Sequence, residues 1–250
     1  YTKSTKERFL SELKNKIKPY VEYKKDDYKN AIKEFDYEED RKTIMNILLL
    51  CNIILTMKSQ YSKFPFALFV KEKWSLEHIH AQNSDEIVKD KDRKELVKSQ
   101  IDWLKREKHE ENLLNKITGL FEAKNIDELM KKLESNDPLD ENLFKNSQDI
   151  IFKYYSSDKF EDIHSIDNLA LLSTRDNSAL SNNIFPVKRE KIIQLDSEGK
   201  FIPIGTKNVF LKYFSKESES NIKWTQEDRE QYLNKMSRLI TEFFNNENGE

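Results

Sequence analysis

The chain has 250 residues, and 43 basic against 45 acidic side chains leave a net charge of −2. With 37% hydrophobic and 11% aromatic residues it is too apolar for a disordered chain, and 4 glycines with 5 prolines are too few to turn the corners of an all-β sandwich or barrel. The single cysteine, Cys51, excludes an intrachain disulfide and a cysteine-based zinc site, and no two glycines cluster as a phosphate-binding loop needs.

In chain order, Phe9, Leu10, Leu13, Ile17, Tyr20 and Val21 form one apolar stripe and predict a charged helical stretch over 4–30, kinked at Pro19. A more hydrophobic helix is expected over 38–60. Its apolar run, 44–57, falls short of the ~20 residues that span a bilayer and reads as a buried helix. The start is polar, so no signal peptide is expected, and a cytoplasmic location is the default. It also lacks an initiator methionine, as a fragment of a longer protein would. After Phe64-Pro65-Phe66 comes a short apolar segment, 67–70. Then Trp74, Leu76, His78 and His80 alternate as on a strand.

Residues 84–157 read as helical, with Asn125 a helix N-cap. The apolar run 168–173 reads as a second strand, and a polar segment, 174–183, follows it. A helix is expected from Pro186 to Ile193, a loop over 196–208, and a last helix from Thr225 to about Phe244. Asp228, three residues after Thr225, completes a capping box.

Two segments carry candidate chemistry. In Glu77-His78-Ile79-His80 a carboxylate directly precedes a histidine. An imidazole can take a proton from water near neutral pH, and a carboxylate offers hard oxygen to Mg²⁺ or Mn²⁺. Taken alone, the segment also reads as a hydrogen-bonded core histidine between surface residues. The second segment, from Ser165 to Asn183, brackets a short strand with asparagines, which are ordinary turn residues by themselves.

Together the two segments resemble the ββα-metal, or HNH, nuclease core. Glu-His-Ile-x-x-Gln over 77–82 is followed by Ser-Ile-Asp-Asn, with Asn168 and Asn177 spaced as in that family. The longer pattern is closer to one branch of it. Asn168-Leu-x-Leu-Leu-Ser, Asn177-Ser-x-Leu-Ser-Asn182, Phe185, Lys188-Arg189, and later Thr206 and Trp224…Asp228…Tyr232 resemble the C-terminal nuclease domain of GmrSD-type, modification-dependent restriction endonucleases. Ala81 stands where the family usually has proline, and about 80 residues separate Gln82 from the second segment.

The resemblance implies a predominantly helical α+β fold: a ββα-metal core with a large helical insertion at 84–160 and flanking helices. Residues 1–66 would be the tail of an upstream domain and 67–250 the nuclease domain. It implies His78 as general base, Glu77 and Asn177 as ligands of one Mg²⁺ or Mn²⁺, and Asn168 as the group that holds the His78 imidazole. Arg175, Lys188 and Arg189 would lie near phosphates; for Lys188 and Arg189 a solvated helix face is the alternative. His80 has no role in the pattern. The implied activity is metal-dependent cleavage of double-stranded DNA, including modified phage DNA, with a nucleotide-hydrolysing domain or subunit outside this chain as partner and no membrane. Two rivals remain: a DNA-binding module on a degenerate ββα fold, and a helical interaction or scaffold protein.

Overall fold

A computed structural model describes residues 3–24, 26–59, 62–81, 87–107, 110–155, 163–180, 182–215 and 221–245. Gln82, His109 and the outer edges of the predicted insertion, 84–86 and 156–160, lie outside them. Within the described residues the fold is predominantly helical with one two-stranded sheet.

The N-terminal helix α1 (Lys3–Ile17) stops where Pro19 forces a 3-10 turn, Lys18–Val21. A short helix, α2 (Tyr28–Lys33), leads to the apolar helix α3 (Arg41–Lys58). The segment after Pro65 is a one-turn helix, α4 (Phe66–Lys71), and β1 (Trp74–His78) follows. Four helices then intervene: α5 (Asp90–Arg106), α6 (Glu111–Leu120), α7 (Ile126–Glu134) and α8 (Glu141–Tyr155). A 3-10 turn, Ile166–Asn168, opens into β2 (Leu169–Ser173), which runs straight into α9 (Thr174–Leu180). The chain ends with α10 (Phe185–Ser197), α11 (Ile204–Phe210) and α12 (Gln226–Asn245).

The strands pair antiparallel, with Trp74 opposite Ser173 and His78 opposite Leu169. The ladder extends one bond at each end, Thr174 N–H to Lys73 C=O and Ile79 N–H to Asn168 C=O. Every residue of β2 is buried. Both sheet faces are therefore covered, and the apolar run Leu169-Ala-Leu-Leu172 is what such a strand requires. Helices α3 and α11 pack on β2, α12 packs on α3 and on the 3-10 turn that opens into β2, and α9 lies against both strands.

Two apolar clusters result. The first joins Ile44, Ile47 and Leu48 of α3 to Leu76, Leu169, Leu171 and the inner faces of α10–α12. It also takes in Val21, Tyr28 and Ile32. From the stretch expected as the tail of an upstream domain, Val21, Tyr28, Ile32 and α3 thus share a core with the sheet. The second cluster lies within α5–α8 and reaches the rest of the molecule through Ala81 and Ile184. There Gln100 and Gln148 exchange two buried side-chain hydrogen bonds, each 2.9 Å.

Candidate functional site

The β1–β2–α9 unit brings the two sequence segments together. Because strand residues alternate, Ser75 and Glu77 point to one side of β1 and His78 to the other. Asn177, one turn into α9, donates from Nδ2 to Ser75 Oγ at 2.8 Å and to the Leu76 carbonyl at 3.3 Å. Asn177 and Glu77 therefore belong to the same side of the strand. The amide's hydrogens are committed to β1, which leaves Oδ1 as its acceptor for another partner.

Glu77 is only 6% exposed. Its Oε1 lies 2.5 Å from Lys188 Nζ, and the same ammonium donates to the His78 carbonyl at 2.7 Å. Burial pushes the Glu77 carboxyl above the usual carboxylate range, with the Lys188 charge pulling against it. Lys188 is 1% exposed, which corrects the expectation of a side chain presented to phosphates. Position 188 lies on the inner face of α10, where a long cation is tolerated because a carboxylate and a carbonyl receive it.

On the opposite side His78 is half-buried, and its Nε2 sits 3.1 Å from Nδ1 of the exposed His164. Tyr37 covers the pair, its ring 4.9 Å from that of His78 and 5.5 Å from that of His164. Arg41 lies over Tyr37 in turn, 5.0 Å from the ring centroid, and donates to the phenol oxygen at 2.7 Å. Burial is the main reason that the His78 imidazole is pulled down to about 4, with the Lys188, His164 and Arg41 charges adding to it. His78 is thus neutral at pH 7, the state in which an imidazole can accept a proton.

Asn168 does not reach the His78 ring, a correction to its expected role. It is 1% exposed, and its amide clamps backbone instead. Oδ1 accepts from His80 N–H, while Nδ2 donates to the His80 and Ile163 carbonyls, all at 2.9 Å. The clamp fixes the chain just beyond β1 and brings residue 163, and with it His164, toward β1. His80 itself is 3% exposed and meets Phe152 edge-on. Helix α12 steadies the same turn. Arg229 forms a buried two-nitrogen ion pair with Asp167, and Tyr232 donates to the Leu169 carbonyl at 3.2 Å.

Of the remaining predicted contacts, Arg175 is exposed. It lines a cleft of about 400 Å³ with Lys73, Lys200, Glu72 and Asp176. Arg189 is half-buried, near enough to Lys212 to oppose its charge. A larger cleft, about 740 Å³, opens between α5 and the α9–α10 connection, with Asn182, Asn183 and Lys191 on its wall. His78 and Glu77 line neither cleft.

His164, Tyr37 and Arg41 were not singled out from the sequence. His164 offered a signal, as one of only 4 histidines and four residues before Asn168. The Tyr37/Arg41 pair offered only an unremarkable spacing of four. Comparison with known proteins returns no match: no family model, no curated protein and no solved structure.

Proposed function

We propose that the chain is a metal-dependent DNA endonuclease built on a ββα-metal core. One observation carries the reading: segments separated by four helices meet in one strand–strand–helix unit, with Glu77 and Asn177 on one side of β1 and His78 next to Glu77 in sequence. The donor chemistry fits a hard divalent cation. Glu77 supplies a carboxylate and Asn177 an amide oxygen, both suited to Mg²⁺ or Mn²⁺. These two residues would hold the ion, which when bound supplies positive charge to a phosphate oxygen. His78 accepts the proton of the attacking water. His164, hydrogen-bonded to its Nε2, fixes the ring's tautomer and tilt, the role the resemblance gave to Asn168. Asn168 holds the loop that presents them. Within this reading the biological role is restriction of invading phage DNA, alongside a nucleotide-hydrolysing domain or subunit.

The test is single-turnover nicking of plasmid DNA with Mn²⁺ titrated. His78→Ala should slow cleavage by roughly 10²- to 10⁴-fold without loss of fold. Glu77→Gln should shift the metal requirement upward. An unaffected His78→Ala would sink the reading.

The buried Glu77–Lys188 ion pair favours a second reading, a ββα module that grips DNA without cutting it, because the carboxylate already has a resident cation. Chelator-insensitive DNA binding with no nicking at any metal concentration would select it.

A further inference from the structure

We propose that Arg41, mounted on Tyr37 at the start of α3, binds the backbone phosphate that His78 acts on. The inference rests on the nuclease reading but concerns a residue outside the segments that suggested it.

Arg41 is exposed, and it makes no ion pair among the described residues. Among the described residues its side chain hydrogen-bonds to Tyr37 Oη, at 2.7 Å. A guanidinium has five N–H donors in a planar fork, so most of its donors face solvent. The charge is nevertheless fixed in place. The guanidinium lies against the Tyr37 ring, and the same ring packs on His78 and His164. An exposed arginine ordinarily loses affinity to side-chain entropy; this one is already ordered.

Asp36 and Asp40, just before it, bond to backbone amides. Asp36 Oδ1 accepts from the Glu38 and Glu39 amides, at 2.8 and 3.0 Å, and Asp40 Oδ2 accepts from the Asp36 amide at 2.9 Å. Those two carboxylates fold the turn that leads into α3. A guanidinium preordered beside the His78 imidazole matches the two needs of a phosphodiester under attack: charge for its non-bridging oxygens and a base for the water.

The experiment uses the full chain and a short labelled DNA duplex, with chelator present so that no cutting occurs. Affinity is measured by fluorescence anisotropy between about 50 and 200 mM salt. Loss of one phosphate contact should flatten the slope of log affinity against log salt by about 0.9, equally for unrelated duplex sequences. Arg41→Gln should show this loss. Arg41→Lys should retain the slope, because it keeps a charge, and Tyr37→Phe should weaken binding with the slope retained. Arg8→Gln, an exposed arginine on α1, is the control and should match the unaltered protein. An unchanged slope in Arg41→Gln overturns the proposal while leaving the nuclease reading to its own His78 test. If the unaltered protein shows no salt-dependent DNA binding, both fall.

Discussion

Lys188 and Glu77 form the most consequential residue-level interaction in the site. Their side chains are 1% and 8% exposed, so each charge depends on the other. Removing one member of a buried pair costs more than removing both, because a lone charge is left without water. Lys188→Met should therefore lower stability by about 3 kcal/mol at pH 7, measured by urea denaturation. The deficit should shrink as pH falls, since protonation neutralises the abandoned Glu77. Glu77→Gln with Lys188→Met should recover part of the loss; equal losses in the single and double variants would show that the pair is not coupled. The histidines give a second residue-level prediction. Burial is the main cause that pulls both His78 and His80 from 6.5 to about 4. The unfolded chain therefore binds protons in that window that the folded chain refuses. Their contribution is intact above pH 6.5 and is eroded as pH falls toward 4. Each histidine accounts for up to about 1.4 kcal/mol per pH unit. His80→Met should flatten the stability–pH curve across this window by close to one proton, with no change in slope above it.

At the scale of elements, Asn52 explains a polar residue in the middle of an apolar helix. Its Nδ2 donates to the Leu48 carbonyl at 2.8 Å, and its Oδ1 accepts from Gly205 N–H at 2.7 Å, tying α3 to the first turn of α11. A Cβ on Gly205 would come within 3.0 Å of that oxygen. Held at both ends and 3% exposed, Asn52 has little room to give. Gly205→Ala should cost about 1 to 3 kcal/mol by thermal denaturation, and the loss should be smaller in an Asn52→Ala background. The same helix shows where the sequence was hard to read. Gly199, Pro203 and Gly205 signal a loop over 196–208, yet Pro203 introduces α11 and Gly205 serves a close approach inside it. Only Gly199, at φ +77°, punctuates as expected, just after α10. Local chemistry was legible. Asn125 accepts from Glu128 N–H at 2.9 Å, and Thr225 and Asp228 exchange the capping-box bonds. The short alternation over 74–80 suited β1 without settling it, while the strand β2 was legible from its unbroken apolar run. The partners of Asn168 and His78 were not, because they depend on where residues 163–164 return after four helices. Nor was the ion pair that turns Lys188 inward, since a lysine on a helix gives no sign of which carboxylate lies beneath it.

Among the described residues the molecule is two apolar clusters joined by a narrow seam, and the seam decides how the four-helix block behaves. Helices α5–α8 bury Val97, Ile101, Leu104, Leu113, Ile117, Phe144 and Ile151 against one another, enough for a small core. That core is not closed by its own residues. Ala81, just past β1, and Ile184, just before α10, are buried in it, and Val187 and Ile222 pack against its edge. Asn183 also donates to Ser99 Oγ at 2.7 Å, joining the α9–α10 connection to α5. Cutting the block free would expose the apolar surface that these residues cover, and a short helical segment has little surplus stability to absorb that loss. A fragment of residues 87–155 should therefore show helical circular dichroism with a broad, non-cooperative thermal transition, whereas the full chain should melt in one step seen alike by far-UV and tryptophan signals. Trp103 reports on the block, being buried there, and Trp224 on the first cluster. Replacing Trp74 together with either Trp224 or Trp103 by phenylalanine gives two single-reporter chains, and their midpoints should coincide. Two separated midpoints, or a sharp transition in the excised fragment, would show the block to be an independent domain. The seam would then be a docking surface, and Ile184→Ala should lower only the fluorescence midpoint of the Trp103 chain. In a single cooperative unit the same substitution lowers both midpoints together, because the loop that enters α10 belongs equally to the helical block and to the element that carries Lys188 to Glu77.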